Sequence, residues 1–323
     1  MLIKSLRQRS GSLAERFLIS RLSSLGDVVC SLPAAGALKR AFPESTIVWA
    51  VDPRFAGIVR SCRFVDEVLE VKPSLKKETW PTIDGEFDAA LDLQGLLKSA
   101  LILKGAKSKT KVGYHWQREG AWLFSERVVP DPSSFHVVDQ YVDVARAVGG
   151  DADVAEFGLQ PTPEAVESIR SKVSQDTPYI VLNGGAGWVT KRWPPEHFSS
   201  LIDSLDGEGY RSVLIGGRTD DDQQVGKTIE EGAKSKPLNL IGQTSITELV
   251  ALLSLSKGHV GGDTGSSHLA AGLGIPAIGL YSITKPVRSC PYGQVDRCHY
   301  DARGLGHIKP EQVLLSLVEA LQA

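Results

Sequence analysis

The sequence predicts an α/β protein with two doubly wound domains, each a parallel sheet covered by helices. The chain has 323 residues, which is long for one hydrophobic core and suits two domains of ordinary size. Short β-rich runs alternate with helical patterns, which is typical of parallel sheets. A polar, proline-bearing stretch at residues 151–163 separates two such series. We therefore expect domains over residues 1–155 and 156–323, facing each other across a cleft.

The first series opens with a strand and a long helix. Residues 16–22, RFLISRL, form the apolar run of a strand, and a helical pattern follows through about Arg40. Further strands are predicted at STIVWAV, EVLEV and FDAALDL, which cover residues 45–51, 67–71 and 87–93. The stretch GLLKSALIL predicts a helix directly after the last of these strands.

The second series repeats this order of elements. Strands are predicted at TPYIVLN, RSVLIGG, PLNLIG, GHVGG and IPAIGLYS, with helical segments between them. In doubly wound sheets, ligands bind beyond the carboxyl ends of the strands. The turns that follow the strands are therefore the expected place for a functional site.

The composition predicts a cytoplasmic protein. No uninterrupted apolar stretch reaches the ~18 residues that a membrane span needs. The first residues lack the apolar core and cleavage site of a signal peptide. The four cysteines show no CxxC pair and no zinc-ligand spacing, which suits a reducing compartment.

The net charge of −2 conceals an asymmetry between the two halves. Residues 1–150 hold 21 Lys and Arg against 17 Asp and Glu, whereas the remainder holds 15 against 21. This excess indicates either a solvated basic surface or an N-terminal domain that meets an anionic partner. A pI near 6.4 and the lack of a recognition motif argue against a nucleic-acid binder. Much of the excess lies in two clusters: Lys72, Lys76 and Lys77, then Lys104, Lys107, Lys109, Lys111 and Arg118.

The turn after the first predicted strand carries a candidate carboxylate. Ser23, Ser24, Gly26 and Asp27 come where the strand ends and the long helix opens. One interpretation makes Asp27 a helix-capping residue, which stabilises by roughly 0.5–2 kcal/mol. The other makes it a base at a cleft mouth that accepts a proton from a hydroxyl.

A glycine-rich turn follows the first strand of the second series, in NGGAGWVTKRWPPEHF. Gly184, Gly185 and Gly187 let the backbone approach a bulky anion, and Lys191 can reach back as a point charge. The turn lacks the GK[ST] ending of a Walker A loop. A plain surface loop with an incidental lysine is the alternative.

The third turn lies in GGDTGSSHLAAGLGIP. Asp263 and Thr264 follow an apolar run, Gly265 allows close backbone approach, and His268 lies one turn into a helix. A helix N-terminus readily receives phosphate. A plain turn with a structural histidine is the alternative. Taken together, the three turns predict a diphosphate ligand held by the C-terminal half, with its reacting group presented to the N-terminal half.

Four segments carry a family resemblance. SRLSSLGDVVCSLPA, FDAALDLQGLLKSA, TKRWPPEHF and GGDTGSSHLAAGLGIP, in this order and spacing, resemble the glycosyltransferase family 9 lipopolysaccharide heptosyltransferases. The resemblance runs from about residue 16 to the C-terminus, and LDLQGLLKSA with YHWQREG is closer to heptosyltransferase I than to II. It implies the GT-B fold of two Rossmann-like domains. It also implies transfer of L-glycero-D-manno-heptose from ADP-heptose to the Kdo of the inner core on lipid A.

The resemblance also implies residue roles. Asp27 would be the catalytic base, and Lys191 would bind the departing ADP phosphates. In place of the family's paired threonines before the lysine stand Ala186 and Gly187, which leaves backbone contacts, and Asp220 is the choice for the ribose. The implied donor-binding set is Gly184, Gly185, Ala186, Gly187, Lys191, Asp220, Thr244, Asp263, Thr264, Gly265 and His268. The predicted acceptor-binding set combines the turn residues with cations from the basic excess of the N-terminal half, namely Ser23, Ser24, Gly26, Lys76, Lys77, Lys107, Lys111 and Arg118.

The implied chemistry needs neither a cofactor nor a metal. Lys191 and oriented N–H groups would stabilise the charge that develops on ADP, and one base suffices for a single inverting displacement. Asp151-Ala-Asp153 matches the metal-binding DxD of other glycosyltransferases, but it lies in the linker and is interpreted as solvated. The anionic, lipid-anchored acceptor implies peripheral association with the inner leaflet of the membrane.

Three alternatives stay open. The first is a family 9 transferase with another acceptor, such as a second heptose, another core sugar or a protein hydroxyl. The second is a GT-B nucleotide-sugar epimerase, which acts without an acceptor and releases free nucleotide. The third is a sugar-nucleotide-binding protein without catalytic activity.

Overall fold

The computed structural model describes residues 15–72, 83–151, 153–185 and 192–322. They fall into two compact units that divide between Leu159 and Gln160. Each unit contains one six-stranded sheet in which all paired strands run parallel. The two parallel sheets with interleaved helices confirm the predicted α/β fold.

The sheet of the first unit has the strand order β3-β2-β1-β4-β5-β6. This order reverses between β1 and β4, which is the switch point of a doubly wound sheet. Its elements, in chain order, are β1 (Arg16–Ser20), α1 (Leu25–Ala41), β2 (Thr46–Val51), α2 (Ala56–Arg60), β3 (Glu67–Glu70), β4 (Ile83–Asp92), α3 (Leu97–Gly105), β5 (Ala106–Gly113), β6 (Glu126–Arg127) and α4 (Val137–Arg146).

The second unit repeats the arrangement with the order β12-β11-β10-β7-β8-β9, which reverses between β7 and β10. Its helices are α5 (Pro163–Lys172), α6 (Pro195–Gly207), α7 (Asp220–Gly232), α8 (Ile246–Leu255), α9 (Gly265–Gly272), α10 (Pro286–Ser289) and α11 (Pro310–Gln322). Its strands are β7 (Tyr179–Asn183), β8 (Arg211–Ile215), β9 (Leu238–Asn239), β10 (Gly258–Gly262), β11 (Ala277–Tyr281) and β12 (Cys298–Tyr300).

The central strands are apolar runs because helices cover both faces of each sheet. Phe17, Leu18 and Ile19 of β1 are buried, and so are Ile180, Val181 and Leu182 of β7. Helix α1 is buried at every position from Val28 to Leu38, which explains its small side chains. The Rossmann-like core of each unit therefore follows from the apolar runs seen in the sequence.

The end of the first unit lies slightly later than the predicted boundary after residue 155. The Gly158 carbonyl accepts the Arg63 N–H at 2.9 Å, and Leu159 forms an antiparallel bridge with Cys62. Glu156 also packs on α1, because a Cβ added at Gly36 would lie 2.8 Å from the Glu156 carbonyl oxygen. Residues 156–159 therefore belong with the first unit.

Strand β5 has no counterpart in the elements predicted from the sequence. Its residues AKSKTKVG alternate lysines with Ser108 and Thr110, and buried apolar residues occur only at its ends. The apolar-run criterion therefore misses it. Parallel pairing with β4 places Lys111 opposite Ala90 and Gly113 opposite Asp92. Lys107, Lys109 and Lys111 of the second lysine cluster thus share one face of a strand.

No helix in the described ranges combines the length and the apolar character needed to cross a bilayer.

The close approach at Gly36 gives a stability prediction. We expect Gly36→Ala to lower the free energy of unfolding by about 1–3 kcal/mol, because the new methyl group overpacks against backbone. The matched control is Gly207→Ala, also within a helix, where nothing lies within 4 Å of the added Cβ. Urea unfolding midpoints compare the two, and equal midpoints would contradict the packing described here.

Candidate functional site

The reversals of strand order create two candidate sites, one in each unit. Polar turns follow β1 and β4 in the first unit, and β7 and β10 in the second. In doubly wound sheets such switch points open a crevice at the carboxyl ends of the strands. Asp27 follows β1, and Asp263 follows β10, so the sequence-predicted candidates occupy these positions.

The Asp27 carboxylate divides its two oxygens between two tasks. Oδ2 accepts hydrogen bonds from the backbone N–H of Ser24 at 3.2 Å and from the Ser24 hydroxyl at 2.8 Å. Ser24 is the N-cap of α1, so these bonds cap the helix. Oδ1 lies 2.7 Å from Nη2 of Arg21. The capping interpretation therefore holds for one oxygen, while the other faces a cation.

Arg21 is a buried ion-pair partner of the Asp27 carboxylate. The Arg21 side chain is 5% exposed, whereas that of Asp27 is 43% exposed. The guanidinium also donates to the Leu93 carbonyl and lies 5.1 Å from the centre of the Tyr141 ring. The base candidate is thus held by a buried partner and open to solvent on its other side.

The pKa of Asp27 lies below its ordinary value. Burial alone would raise this pKa, but the charge of Arg21 and the hydrogen bonds from Ser24 and Arg21 lower it by more. Asp27 is therefore ionised at neutral pH and can accept a proton.

The turn after β4 is tied to the turn after β1. Asp92, fully buried, accepts the N–H groups of Gln94 and Gly95 at 2.9 and 3.0 Å. Gln94 in turn accepts the Leu22 N–H at 2.9 Å and lies 3.5 Å from the Ser23 hydroxyl. Burial raises the pKa of Asp92, against the opposing effect of these N–H groups. No role was predicted from the sequence for Arg21, Asp92 or Gln94, although they lie in the motifs SRLSSLGDVVCSLPA and FDAALDLQGLLKSA.

The described basic residues of the predicted acceptor set lie in two places. Lys107 and Lys111 share one face of β5 with Lys109, since side chains alternate along a strand. Lys109 pairs with Asp88 at 2.6 Å, and burial lowers the pKa of Lys111. Arg118 donates its backbone N–H to the Gly95 carbonyl at 2.8 Å, beside the turn just described. Lys76 and Lys77 lie outside the described residues.

In the second unit, Asn183 joins the two glycine-rich turns. It is the last residue of β7, and its Nδ2 donates to the Ser266 hydroxyl at 2.8 Å. Its Oδ1 accepts the Gly185 N–H at 3.0 Å. Thr264, the N-cap of α9, lies 3.0 Å from the same Ser266 hydroxyl. Asn183 is the first residue of the motif NGGAGWVTKRWPPEHF, but no role was predicted for it from the sequence.

Buried polar residues fix the N-terminus of α9. His259 Nε2 lies 3.0 Å from the Ser266 hydroxyl, and burial lowers the pKa of His259 to about 3. The imidazole is therefore neutral at physiological pH. The Ser267 hydroxyl donates to the Gly262 carbonyl at 2.8 Å. A rigid helix N-terminus with its positive dipole end suits an anion.

Asp263 is contacted from two sides. His268 Nε2 lies 3.9 Å from one carboxylate oxygen, and the Thr284 hydroxyl donates to the other at 3.2 Å. His268 is largely buried. The structure thus places His268 close to Asp263.

Three consecutive acids begin helix α7. Asp220 is its first residue, and Asp221 forms an ion pair with Arg192. Asp222 lies against the glycine turns, because a Cβ at Gly185 would sit 2.5 Å from its Oδ1. A Cβ at Gly217 would sit 2.6 Å from its Oδ2. A side chain at either position would displace the Asp222 carboxylate from the place it occupies.

Thr244 of the predicted donor-binding set lies in the part of the chain that the structure describes. Thr244 follows a turn in which Gly242 donates its N–H to the carbonyl of Gly216 at 3.2 Å. Gly216 directly follows β8, so Thr244 lies near the carboxyl end of that strand. Ala186, Gly187 and Lys191 lie outside the described residues. Asp151 of the DxD-like stretch has a carboxylate oxygen 3.8 Å from Arg40 Nε. Within the described part of the chain, no group of three or more His, Cys, Asp or Glu side chains could hold a metal ion.

Comparison with known proteins gives the family. The sequence model of glycosyltransferase family 9 (heptosyltransferase) matches residues 80–309. Lipopolysaccharide core heptosyltransferase OpsX of Haemophilus influenzae is 24% identical over 288 residues, covering 86% of this chain and 82% of its own. Lipopolysaccharide heptosyltransferase 1 of Escherichia coli K12 is 28% identical over 328 residues, covering 94% and 99%. Further relatives are lipopolysaccharide heptosyltransferases 2 and 3.

A solved structure agrees with the fold. E. coli heptosyltransferase WaaC with ADP superimposes with a TM-score of 0.78 and 25% identity, covering 94% of this chain and 99% of its own. The same enzyme with ADP-2-deoxy-2-fluoro heptose gives 0.73 and 26%, with the same coverage of both chains. The family match spans well over half of the sequence, and both sheets have the predicted topology. The chain is a glycosyltransferase of the GT-B fold and belongs to glycosyltransferase family 9, the heptosyltransferase family.

Proposed function

We propose that this protein transfers L-glycero-D-manno-heptose from ADP-heptose to the Kdo of the lipopolysaccharide inner core, with inversion and with Asp27 as the general base. The observation that carries the proposal is the Asp27 carboxylate itself. It is ionised, 43% exposed, and held by a buried arginine where β1 ends. The relatives named as lipopolysaccharide heptosyltransferases support the choice of sugar and pathway.

The proposed chemistry is a single displacement. The acceptor hydroxyl oxygen attacks the anomeric carbon, the bond from that carbon to the ADP oxygen breaks, and the hydroxyl proton passes to Asp27. A low pKa keeps Asp27 unprotonated until the acceptor binds. Proton transfer becomes favourable as the new C–O bond forms and the hydroxyl becomes acidic. A single carboxylate meets the needs of inversion, whereas retention would use a second as nucleophile.

The second unit supplies the proposed donor site. The α9 N-terminus with Thr264 and Gly265 would receive the diphosphate, and Lys191 would add a positive charge that stabilises departing ADP. Asp263, which accepts a hydrogen bond from Thr284 and lies near His268, would accept hydrogen bonds from the sugar hydroxyls. For the ribose, Asp220 stays the sequence-based prediction.

Asp222 is a second candidate for the ribose contact. Its carboxylate lies directly against Gly185 and Gly217, which follow the adjacent strands β7 and β8. The Thr219 hydroxyl also donates to its Oδ2 at 2.7 Å, which fixes the carboxylate orientation.

The first unit supplies the proposed acceptor site. Kdo carboxylates and lipid A phosphates make the acceptor strongly anionic, and Lys107, Lys111 and Arg118 are cations that can attract it. Lys76 and Lys77 complete the proposed set. Because lipid A is anchored in a bilayer, we place the enzyme at the cytoplasmic face of the inner membrane, attached peripherally.

The acceptor experiment tests the function as a whole. The protein is incubated with ADP-heptose and either Kdo₂-lipid A or a core that already carries one heptose, and products are read by mass. We expect one added heptose on Kdo₂-lipid A. Addition only to the heptose-bearing core would assign a later transfer step. Nucleotide release without any sugar acceptor would indicate an epimerase, and ADP-heptose binding without turnover would indicate a binding protein.

The base assignment predicts the behaviour of Asp27→Asn. We expect turnover to fall at least ~100-fold while ADP-heptose binding stays near normal, since the lost group is a general base. The matched control is Asp139→Asn, which removes a first-turn acid from helix α4 of the same unit. Steady-state kinetics and donor calorimetry measure both effects. Near-normal turnover in Asp27→Asn would leave this residue as a helix cap only.

The Arg21–Asp27 pair predicts a pH effect. Removing the cation in Arg21→Met leaves burial to raise the pKa of Asp27, so less of the base is ionised at a given acidic pH. We expect the acidic limb of kcat/KM to move to higher pH in this variant. Arg21→Lys keeps the charge and should keep the limb near its original position. Identical pH profiles in wild type and Arg21→Met would show that the pair does not tune the base.

A further inference from the structure

The segment after β5 exposes an unusual set of large apolar side chains. Leu123 is 73% exposed, Trp116 55% and Trp122 54%, and Val129 and Phe135 are exposed further along. All five fall within residues 116–135 of the first unit. Five large exposed apolar side chains in one short segment make it a candidate interaction site.

The inner side of this segment is firmly held. Gln117 and Ser125 are buried and joined by a 2.8 Å hydrogen bond from Gln117 Nε2 to the Ser125 hydroxyl. Ala121 is fully buried, and Gly120 supplies the positive φ of 84° that turns the chain before it. The outward position of Trp122 and Leu123 is therefore built into an ordered turn.

The same segment lies beside the turns that carry the proposed base. The Arg118 N–H donates to the Gly95 carbonyl at 2.8 Å, and Glu119 accepts the Leu97 N–H at 3.3 Å. Gly95 belongs to the turn that Gln94 ties to Leu22 and Ser23. A partner surface that binds this segment would therefore bring the polar groups of that partner near Asp27.

The charge around the segment is complementary to an anionic surface. Residues 116–135 themselves contain two Lys and Arg against three Asp and Glu, and the positive excess comes from the five lysines of residues 97–111 on α3 and β5. The Lys104 ammonium lies 5.6 Å from the Phe124 ring centre, and the Arg118 guanidinium 5.7 Å from that of Trp116. Tryptophan with neighbouring cations is the composition of proteins that bind at the lipid–water interface.

We propose that Trp116, Trp122, Leu123, Val129 and Phe135 form a docking surface for an anionic phospholipid bilayer, hereafter the apolar patch. The side chains enter the headgroup region, and the neighbouring lysines and arginines meet lipid phosphates. The proposal deepens the proposed function and rests on it for the acceptor, because a sugar anchored in that bilayer is then presented next to Asp27.

Vesicle sedimentation of the full-length protein tests the apolar patch. Vesicles are made of phosphatidylcholine alone or with added phosphatidylglycerol. We expect binding to the anionic vesicles, weaker binding to the neutral ones, and weakening by salt. The double variant Trp122→Ser, Leu123→Ser should bind anionic vesicles at least about tenfold more weakly. Leu315→Ser on α11 of the second unit, where the leucine is 60% exposed, is the matched control and should bind normally.

A second variant and a second readout keep the test decisive. Phe135→Ser should also weaken vesicle binding, and ADP binding and thermal unfolding should match wild type in all variants. Equal vesicle binding by wild type and both patch variants would overturn the proposal. A dimer that the double variant abolishes, with vesicle binding unchanged, would assign the patch to a second copy and overturn it too.

Transfer assays separate this proposal from the proposed function. With a lipid-free Kdo acceptor, the double variant should turn over like wild type, and with acceptor in vesicles it should be slower. An equal loss with both acceptors would place the patch in the sugar site and overturn the membrane role. If wild type transferred heptose to no acceptor, the proposed function would fail while sedimentation still decided the patch.

Discussion

Both candidate sites depend on the reversal of strand order in each sheet. Parallel strands end on the same edge, and at a reversal the connections leave in opposite directions, which opens space between two turns. In the first unit this edge holds Asp27 and the Gln94–Gly95 turn, and in the second it holds Asn183 and Thr264. The polar residues could not be placed together by local sequence, because β1 and β4 are separated by two further strands.

A buried charge links fold and function in the first unit. An isolated guanidinium is costly to remove from water, and Arg21 is compensated inside by Asp27, the Leu93 carbonyl, the Tyr141 ring and the charge of Asp92. The same pair keeps Asp27 ionised and fixes its direction. The residue proposed to take the proton therefore also satisfies a buried cation, and its replacement affects stability as well as turnover.

Much of the fold was predictable because covered parallel strands are apolar runs. β10 has the predicted bounds, while β1 ends at Ser20, two residues before the predicted end. The prediction failed at β5, where lysines alternate with Ser108 and Thr110 and no apolar run exists. It also placed the domain boundary four residues early, because the contacts of Gly158 and Leu159 with the first unit are not local.

Candidate site residues could be predicted where they belong to a sequence motif, but not where their position depends on tertiary packing. Asp27 and Thr264 stand in recognisable strand-end turns. Arg21 gave no signal, since an arginine at a strand end is usually solvated, and only burial against Tyr141 reveals its role. Asp222 could not be distinguished from Asp220 in the sequence, because three consecutive acids look equivalent there, whereas the structure places Asp222 against Gly185 and Gly217.

The central claim is that one carboxylate, Asp27, acts as the base of a direct displacement. The most direct test is the anomeric configuration of the transferred heptose, determined by nuclear magnetic resonance on product made from a donor of known configuration. With Asp27 as the only carboxylate in the displacement, we expect an inverted centre in the product. A retained configuration would require a second nucleophile and would contradict the mechanism.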